Sequence, residues 1–161
     1  MAFCTCCFTG HRVIAPHTKE ALTAILDRRL VALADIGFTE FRTGGARGFD
    51  TLAAQRVLLL RQTHPACKLH LILPCKEQDR SWNASERAAF AEIMREADSI
   101  RFLREQYTPD CMHARNRALV DGSDLCLAFL TANRGGTLYT CSYALKSGVR
   151  LINLADELEP S

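Results

Sequence analysis

Apolar positions along the chain follow two alternating patterns, short continuous runs and stripes with helical spacing. The first run, from Phe3 to Phe8, ends in the polar stretch TGHR and predicts a buried strand followed by a loop. From Thr18 to Leu33 the apolar residues recur every three or four positions, which predicts a helix with Thr18 as its N-cap and Gly37 just past its end. A strand therefore leads into a helix.

The same alternation continues along the rest of the chain. Apolar runs predict strands over 38–43, 68–73, 99–103, 124–130 and 149–154, and helical spacing predicts helices over 51–61, 83–97, 109–120 and 137–146. Asn83, with Glu86 three residues later, resembles a capping box at the start of its helix. The polar tail from Ala155 is expected to fray.

Strands that are apolar throughout and alternate with helices predict an α/β fold, because a sheet covered on both faces needs no polar side. We expect a doubly wound, mostly parallel, Rossmann-like sheet with helices on both faces, forming a single domain over 1–161. Ligands of such sheets bind at the carboxyl ends of the strands, so the loops that follow the strands are the informative ones.

Composition narrows the function. The chain has 161 residues, 48% of them apolar and 24% charged, which is typical of a soluble globular protein. Its formal charge of +2, without a basic run, argues against nucleic acid as a partner. No positive leader precedes the first strand and no apolar stretch reaches about 20 residues, so we expect a cytoplasmic protein without a membrane partner.

Eight cysteines are expected to be free thiols, since most lie in predicted core elements and no secretory leader is apparent. Cys4 and Cys7 form a C-x-x-C inside a strand, and no second pair has zinc spacing, so no metal site is expected. A homo-oligomer is compatible with the sequence.

The loop TGGARGFD, Thr43 to Asp50, places three glycines between a strand and a helix. Glycines let an anion approach the backbone N–H groups at a helix start, so Gly44, Gly45, Ala46 and Gly48 are candidate phosphate-binding residues. The alternative is a turn that only connects two elements. Asp50 is expected either to cap the helix or to accept ribose hydroxyls.

The loop TGHR after the first strand is a second candidate. Thr9 offers a hydroxyl, Gly10 flexibility, and His11 and Arg12 two potential cations for a phosphate. A plain surface loop is the alternative.

In CMHARNRALV, helical spacing places Arg115 three residues after Met112 and four before Leu119, on the apolar stripe, and Asn116 shares that side. A charge on the core side needs a partner, either a buried carboxylate or a ligand anion, and we expect the ligand. His113 is expected to point elsewhere, to the surface.

Two further loops contribute candidates. NRGGTLYT places Gly135 and Gly136 at a helix start with Thr137 as N-cap or hydroxyl donor, a second glycine turn that favours a shared anion. PCKEQDRSW contains Gln78 and Trp82, and this tryptophan either joins the core or stacks on a base and covers the pocket.

Five motifs in this order resemble a known family: FTGHR, GGARGFDTLAA, LPCKEQDRSW, ARNRALVDGSD and NRGGTLYTCSYALKSGV. From about Phe3 to Leu154 the chain resembles the YpsA-like branch of the SLOG superfamily, a Rossmann-like group that includes DprA and the LOG cytokinin-activating enzymes. The resemblance implies a parallel sheet with a nucleotide-derived ligand over its C-terminal edge, and no settled reaction for this branch.

The LOG pattern, M-x-x-R-K followed by P-G-G-x-G-T-x-x-E, serves N-glycosidic hydrolysis of nucleotides. Met112 and Arg115 match it, but Asn116 replaces the lysine, Arg134 replaces the proline, and Thr140 occupies the glutamate position. A carboxylate is needed to stabilise an oxocarbenium-like state or to activate water, so no catalytic residue is assigned. Glu77, Asp79 or Asp50 could substitute from another loop.

These observations favour a sensor or regulator that binds ADP-ribose, NAD or a nucleoside phosphate; no cofactor is certain. The alternative is a LOG-like hydrolase that releases a free base. A third hypothesis is a DprA-like binder of single-stranded DNA, which the near-neutral charge disfavours. An interaction module with a vestigial pocket is also compatible with the sequence.

Overall fold

A computed structural model describes residues 4–158, which form six strands, five α-helices and one 3₁₀ helix. The strands are β1 (Thr5–Gly10), β2 (Glu40–Thr43), β3 (Lys68–Leu73), β4 (Ser99–Phe102), β5 (Leu125–Phe129) and β6 (Arg150–Asn153). The helices are α1 (Pro16–Asp35), α2 (Phe49–Leu60), α3 (Ala84–Glu96), α4 (Cys111–Val120) and α5 (Gly135–Lys146), followed by the 3₁₀ helix Leu154–Glu157.

The six strands form one sheet in the order β4-β3-β2-β1-β5-β6, and each neighbouring pair is parallel. The predicted α/β, Rossmann-like fold is confirmed. The chain moves outward from β1 to β4 and then returns to the other side of β1 with β5. The switch point therefore lies between β1 and β5, where a crevice opens at the carboxyl ends of the strands.

Both faces of the sheet are buried, which explains the continuous apolar runs. On one face, α1, α2 and α3 pack side by side. The Phe8 ring centroid lies 6.2 Å from that of Phe41 and 6.4 Å from that of Phe49. On the other face α4 packs against α5, over a smaller cluster that includes Cys7 and Cys126. Successive strand residues alternate between the two clusters.

The first helix begins two residues earlier than its apolar spacing predicts. Pro16 occupies its first turn, Ala15 is the N-cap, and no side chain caps it, so the predicted cap at Thr18 is wrong. Proline at a helix start has the required φ and lacks only an N–H that would stay unpaired. Phe3, the predicted first strand residue, lies outside the described residues.

The expected fraying of the tail is wrong for residues 155–158. The Asn153 side chain accepts a hydrogen bond from the Ala155 N–H at 3.2 Å, Leu154 is buried, and Glu157 pairs with Arg29 at 3.0 Å. The local Asn153 bond starts the 3₁₀ helix, and the ion pair with Arg29 and the buried Leu154 hold it against α1.

The capping box at the start of α3 is confirmed. The Asn83 Oδ1 accepts from the Glu86 N–H at 2.8 Å, and the Glu86 Oε1 accepts from the Asn83 N–H at 3.0 Å. All eight cysteines are free thiols, seven of them buried. Between Cys4 and Leu158, no helix has the length and apolar character needed to cross a bilayer.

Candidate functional site

The crevice at the switch point contains a cavity of about 460 Å³, the inner cavity. The loops after β1, β2 and β5 form its walls together with one side of α4. It is lined by Thr9, Gly10, His11, Arg12, Ala46, Asp50, Met112, His113, Arg115, Asn116, Leu119, Arg134, Gly135, Gly136 and Thr137. The topology thus brings together eleven of the sixteen predicted site residues here.

Arg115 lies on the buried side of α4, as its helical spacing predicts, and is 4% exposed. Its Nη1 donates to the Gly44 carbonyl at 2.5 Å and its Nε donates to the Asn116 Oδ1 at 2.9 Å. A Cβ on residue 44 would lie 2.5 Å from Nη1, so the side chain of any other residue would displace the guanidinium. The first glycine of the turn therefore makes room for Arg115.

Arg115 and Asn116 each keep one hydrogen-bond donor that these bonds do not use. The Nη2 of Arg115 and the Nδ2 of Asn116 make no hydrogen bond within residues 4–158. Over the same residues no fully buried side-chain nitrogen or oxygen lacks a partner, so both atoms face accessible space. Since both residues line the inner cavity, their donors are available to a ligand there.

The cavity wall carries positive charge without paired carboxylates. Within the described chain, Arg12, Arg115 and Arg134 have no carboxylate oxygen within 4.0 Å. Burial lowers the pKa of Arg115, and the nearby Asp50 partly opposes this effect. One buried and two exposed guanidinium groups, all unpaired within the described residues, favour an anionic ligand in this cavity.

Asp50 is the acidic residue of the inner cavity and is 5% exposed. Its Oδ2 accepts from the Ala46 N–H at 3.2 Å, and no side chain caps α2, whose N-cap is Gly48. The capping role is therefore wrong, because the carboxylate turns back to the glycine loop. Burial raises the pKa of Asp50 to about 6, against the opposing effect of Arg115.

The glycine turn over 44–48 supports the wall of the inner cavity from behind, and one of its residues lines the cavity. Gly48 has φ +75°, and a Cβ there would collide with the Arg12 carbonyl oxygen, so the loops after β1 and β2 touch at this point. Gly45 has φ +68° and its carbonyl accepts from the Gln78 Nε2 at 3.1 Å. Of the four candidates in this turn, Ala46 lines the inner cavity.

The second glycine turn starts α5 at the cavity. Arg134 is the N-cap, Gly135 has φ +84°, and the helix N-terminus lies at the wall formed by Gly136 and Thr137. Thr137 is buried inside the first turn, so its predicted N-cap role is wrong. The exposed N–H groups and the dipole of a helix start favour an anion.

The loop after β1 meets the loop after β5 through His11. The Thr131 N–H donates to the His11 Nε2 at 2.8 Å, which requires this nitrogen to be unprotonated. Burial, followed by the charge of Arg134, lowers the pKa of His11. His11, expected to be a cation, is therefore a neutral hydrogen-bond acceptor that joins two loops. Arg12 is the cation of TGHR.

A second cavity of about 900 Å³, the outer cavity, adjoins the first along the sheet edge over β3 and β4. The two cavities share Arg12, Ala46 and Met112. Gln78 and Trp82 line the outer cavity, where the Trp82 ring centroid lies 5.2 Å from that of Phe90. Trp82 thus packs at the margin of the core and lines a cavity as well.

Some lining residues were missed by the sequence interpretation. Met112 and Leu119 lie on the stripe that identified Arg115, so the signal for them was present. His113 is exposed as expected, but it lines the rim, with its ring centroid 4.0 Å from that of Tyr139. No local pattern indicates Arg134, which reaches the cavity because of the turn geometry.

Comparison with known proteins identifies the family. A family model named YpsA and described as the YspA SLOG family matches residues 15–149. The chain belongs to the YpsA family. The YpsA family match covers both glycine turns and Arg115, so the residues of the inner cavity outside the β1 loop lie within the matched region.

Two bacterial relatives extend over most of the chain. The SPbeta prophage-derived protein YoqJ of Bacillus subtilis strain 168 is 30% identical over 141 residues, covering 80% of this chain and 81% of YoqJ. The UPF0398 protein BH1768 of Halalkalibacterium halodurans is 28% identical over 138 residues, covering 80% of this chain and 73% of that protein.

A solved structure shares the fold. DNA processing protein A from Helicobacter pylori, whose structure concerns a single-stranded DNA binding mode, matches with a TM-score of 0.67 and 19% identity. The match covers 98% of this chain and 72% of that chain. At this identity the likeness shows the Rossmann-like fold alone.

Proposed function

We propose that this protein binds a nucleotide-derived ligand at the C-terminal edge of its sheet and acts as a sensor or regulator. The observation that supports this most is the inner cavity, where Arg12, Arg115 and Arg134 are unpaired within the described residues beside the N-terminus of α5. Of the three, Arg115 is buried and the other two are exposed. Burying the Arg115 guanidinium without a carboxylate partner is costly, and a ligand phosphate offsets that cost.

The ligand class follows from the groups around the cavity. Phosphate oxygens fit the guanidinium groups and the N–H groups of the second glycine turn. The buried Asp50 is suited to accept ribose hydroxyls next to them. A phosphorylated ribose is therefore the recognised unit, as in nucleoside phosphates, ADP-ribose and NAD.

Thr140 favours binding of the ligand over hydrolysis of its N-glycosidic bond. It occupies the position of the LOG glutamate, and its hydroxyl donates to the Gly136 carbonyl at 2.9 Å, a bond within α5. Such a hydroxyl offers no negative charge to a developing oxocarbenium ion.

The test is calorimetric titration with ribose 5-phosphate, AMP, ADP-ribose and NAD. At least one should bind, and Arg115→Met should weaken it about 10- to 100-fold, because a charge-assisted hydrogen bond contributes about 1.5 to 3 kcal/mol. Arg150→Met, an exposed arginine at the start of β6 on the opposite edge of the sheet, is the matched control and should bind like wild type. Binding of none of the four ligands would refute the proposal, as would unchanged affinity in Arg115→Met.

The second candidate function is N-glycosidic hydrolysis with Asp50 in place of the missing glutamate. Its raised pKa of about 6 and its place in the inner cavity suit a general acid or base. Glu77 lines the outer cavity, and Asp79 pairs with Arg87 at 3.7 Å and lines neither cavity. Chromatography after incubation with AMP or NAD decides it: hydrolysis must release free base in wild type and lose most of that activity in Asp50→Asn.

Single-stranded DNA is the third candidate, because the fold resembles that of DNA processing protein A. It predicts oligonucleotide binding whose affinity falls steeply with salt, which fluorescence anisotropy measures directly.

A further inference from the structure

The two adjoining cavities differ in how their charges are paired. In the inner cavity the described arginines and Asp50 form no ion pair, as shown above. In the outer cavity Lys76 pairs with Glu105 at 2.8 Å and Arg80 with Glu77 at 3.6 Å. Arg47 pairs with Glu86 at 3.7 Å, so away from Arg12, which borders both cavities, the charged groups of the outer cavity are paired. This part of the outer cavity suits an uncharged end of a ligand whose anionic end lies in the inner cavity.

Planar groups line the outer cavity. The Arg47 guanidinium lies 5.7 Å from the centroid of the Trp82 ring, and both residues face the cavity from different loops. Tyr107, which is 70% exposed, lines it from the loop after β4. Indole, phenol and guanidinium planes are the surfaces on which nucleobases stack.

The Gln78 amide adds a directional group to this cavity. Its Nε2 donates to the Gly45 carbonyl at 3.1 Å, and a carbonyl can only accept, so the orientation of the amide is fixed. The Oε1 receives no donor from the described residues, and it is not a fully buried unpaired atom. It is therefore an acceptor that is open to the cavity.

Resting on the nucleotide-binding function proposed above, we propose that the outer cavity holds the base of the ligand and selects one with an exocyclic amino group. Trp82 and Arg47 stack on the base, and the Gln78 Oε1 accepts from its amino group. A base with a keto group at the same position places one acceptor against another, so it binds less well. Arg12 lines both cavities, so it lies where the phosphate end and the base end of the ligand meet.

The test compares AMP with IMP by calorimetry, because the two share phosphate and ribose and differ at the six-membered ring edge. AMP has an amino group beside an acceptor N1, and IMP has a keto group beside an N1–H. Wild type should bind AMP about tenfold more tightly than IMP. Gln78→Leu should bring this ratio close to one, while Gln62→Leu, an exposed glutamine beyond α2, should keep it. Trp82→Ala should weaken both nucleotides about tenfold without changing their ratio.

The outcomes separate this inference from the function on which it rests. Equal affinities of wild type for AMP and IMP, with both lost in Arg115→Met, overturn base selection and leave nucleotide binding standing. Binding of neither nucleotide overturns both. The wild-type ratio is informative even if a Gln78 variant fails to fold.

Discussion

At the scale of the residue, Asp50 combines burial with a place in a cationic cavity. Its carboxylate has one described hydrogen-bond donor, the Ala46 N–H, and no paired cation within 4.0 Å. Burial therefore outweighs the attraction of Arg115, and the pKa rises from 3.8 to about 6. The ionised carboxylate lowers the free energy of unfolding. A residue that lowers stability in this way fits a role in ligand binding.

Asp50→Asn should change how stability depends on pH. In wild type the protonated carboxyl favours the folded state below about pH 4, and this contribution is lost as pH rises through about 6. The asparagine side chain does not ionise, so it does not lose stability as pH rises. Above pH 7 the free energy of unfolding of the variant should therefore exceed that of wild type by about 3 kcal/mol, which corresponds to the rise in pKa from 3.8 to about 6. Urea denaturation from pH 4 to 8 measures the effect. The exposed Asp156→Asn is the control, and an Asp50 variant that is less stable than wild type at pH 7.5 contradicts the account.

At the scale of the element, the turn before α2 depends on close contact between two loops. Gly48 and Gly148 both have a positive φ, +75° and +76°, and Gly48 combines it with ψ −120°. A Cβ at Gly148 meets nothing within 4 Å, whereas one at Gly48 collides with the carbonyl of Arg12. Replacement of Gly48 therefore meets a steric collision that replacement of Gly148 does not.

Alanine at both positions should therefore have unequal effects. Gly148→Ala should cost about 1 to 2 kcal/mol of unfolding free energy, since an alanine there adopts a left-handed conformation. Gly48→Ala should cost at least about 2 kcal/mol more and weaken nucleotide binding, because it pushes Arg12 away. Urea denaturation and calorimetry provide the two readouts. Equal losses of stability would show that the contact between the loops is not tight.

The sequence predicts the elements better than it predicts the loops that connect them. Continuous apolar strands, the Asn83 capping box and the helical position of Arg115 were predictable, because each depends on residues close in the chain. The 3₁₀ helix after β6 was not, since Arg29 and a buried Leu154 hold it through long-range contacts. The acceptor role of His11 likewise depends on Thr131, 120 residues away.

At the scale of the whole molecule, the sheet order determines which loops meet. Because β5 returns beside β1, the loops after β1, β2 and β5 surround one crevice, and the outer cavity continues from it over β3 and β4. The YpsA family fold supplies this crevice, and the unpaired arginines within it, rather than the fold, support nucleotide binding.

A crystal structure of the protein with ADP-ribose tests this central claim most directly. The account predicts phosphate oxygens in the inner cavity, within hydrogen-bond distance of the Arg115 guanidinium and of the backbone N–H groups at Gly136 and Thr137, with the adenine in the outer cavity against Trp82. A ligand bound elsewhere on the molecule, with the inner cavity unchanged and Arg115 not in contact with any phosphate, would contradict it.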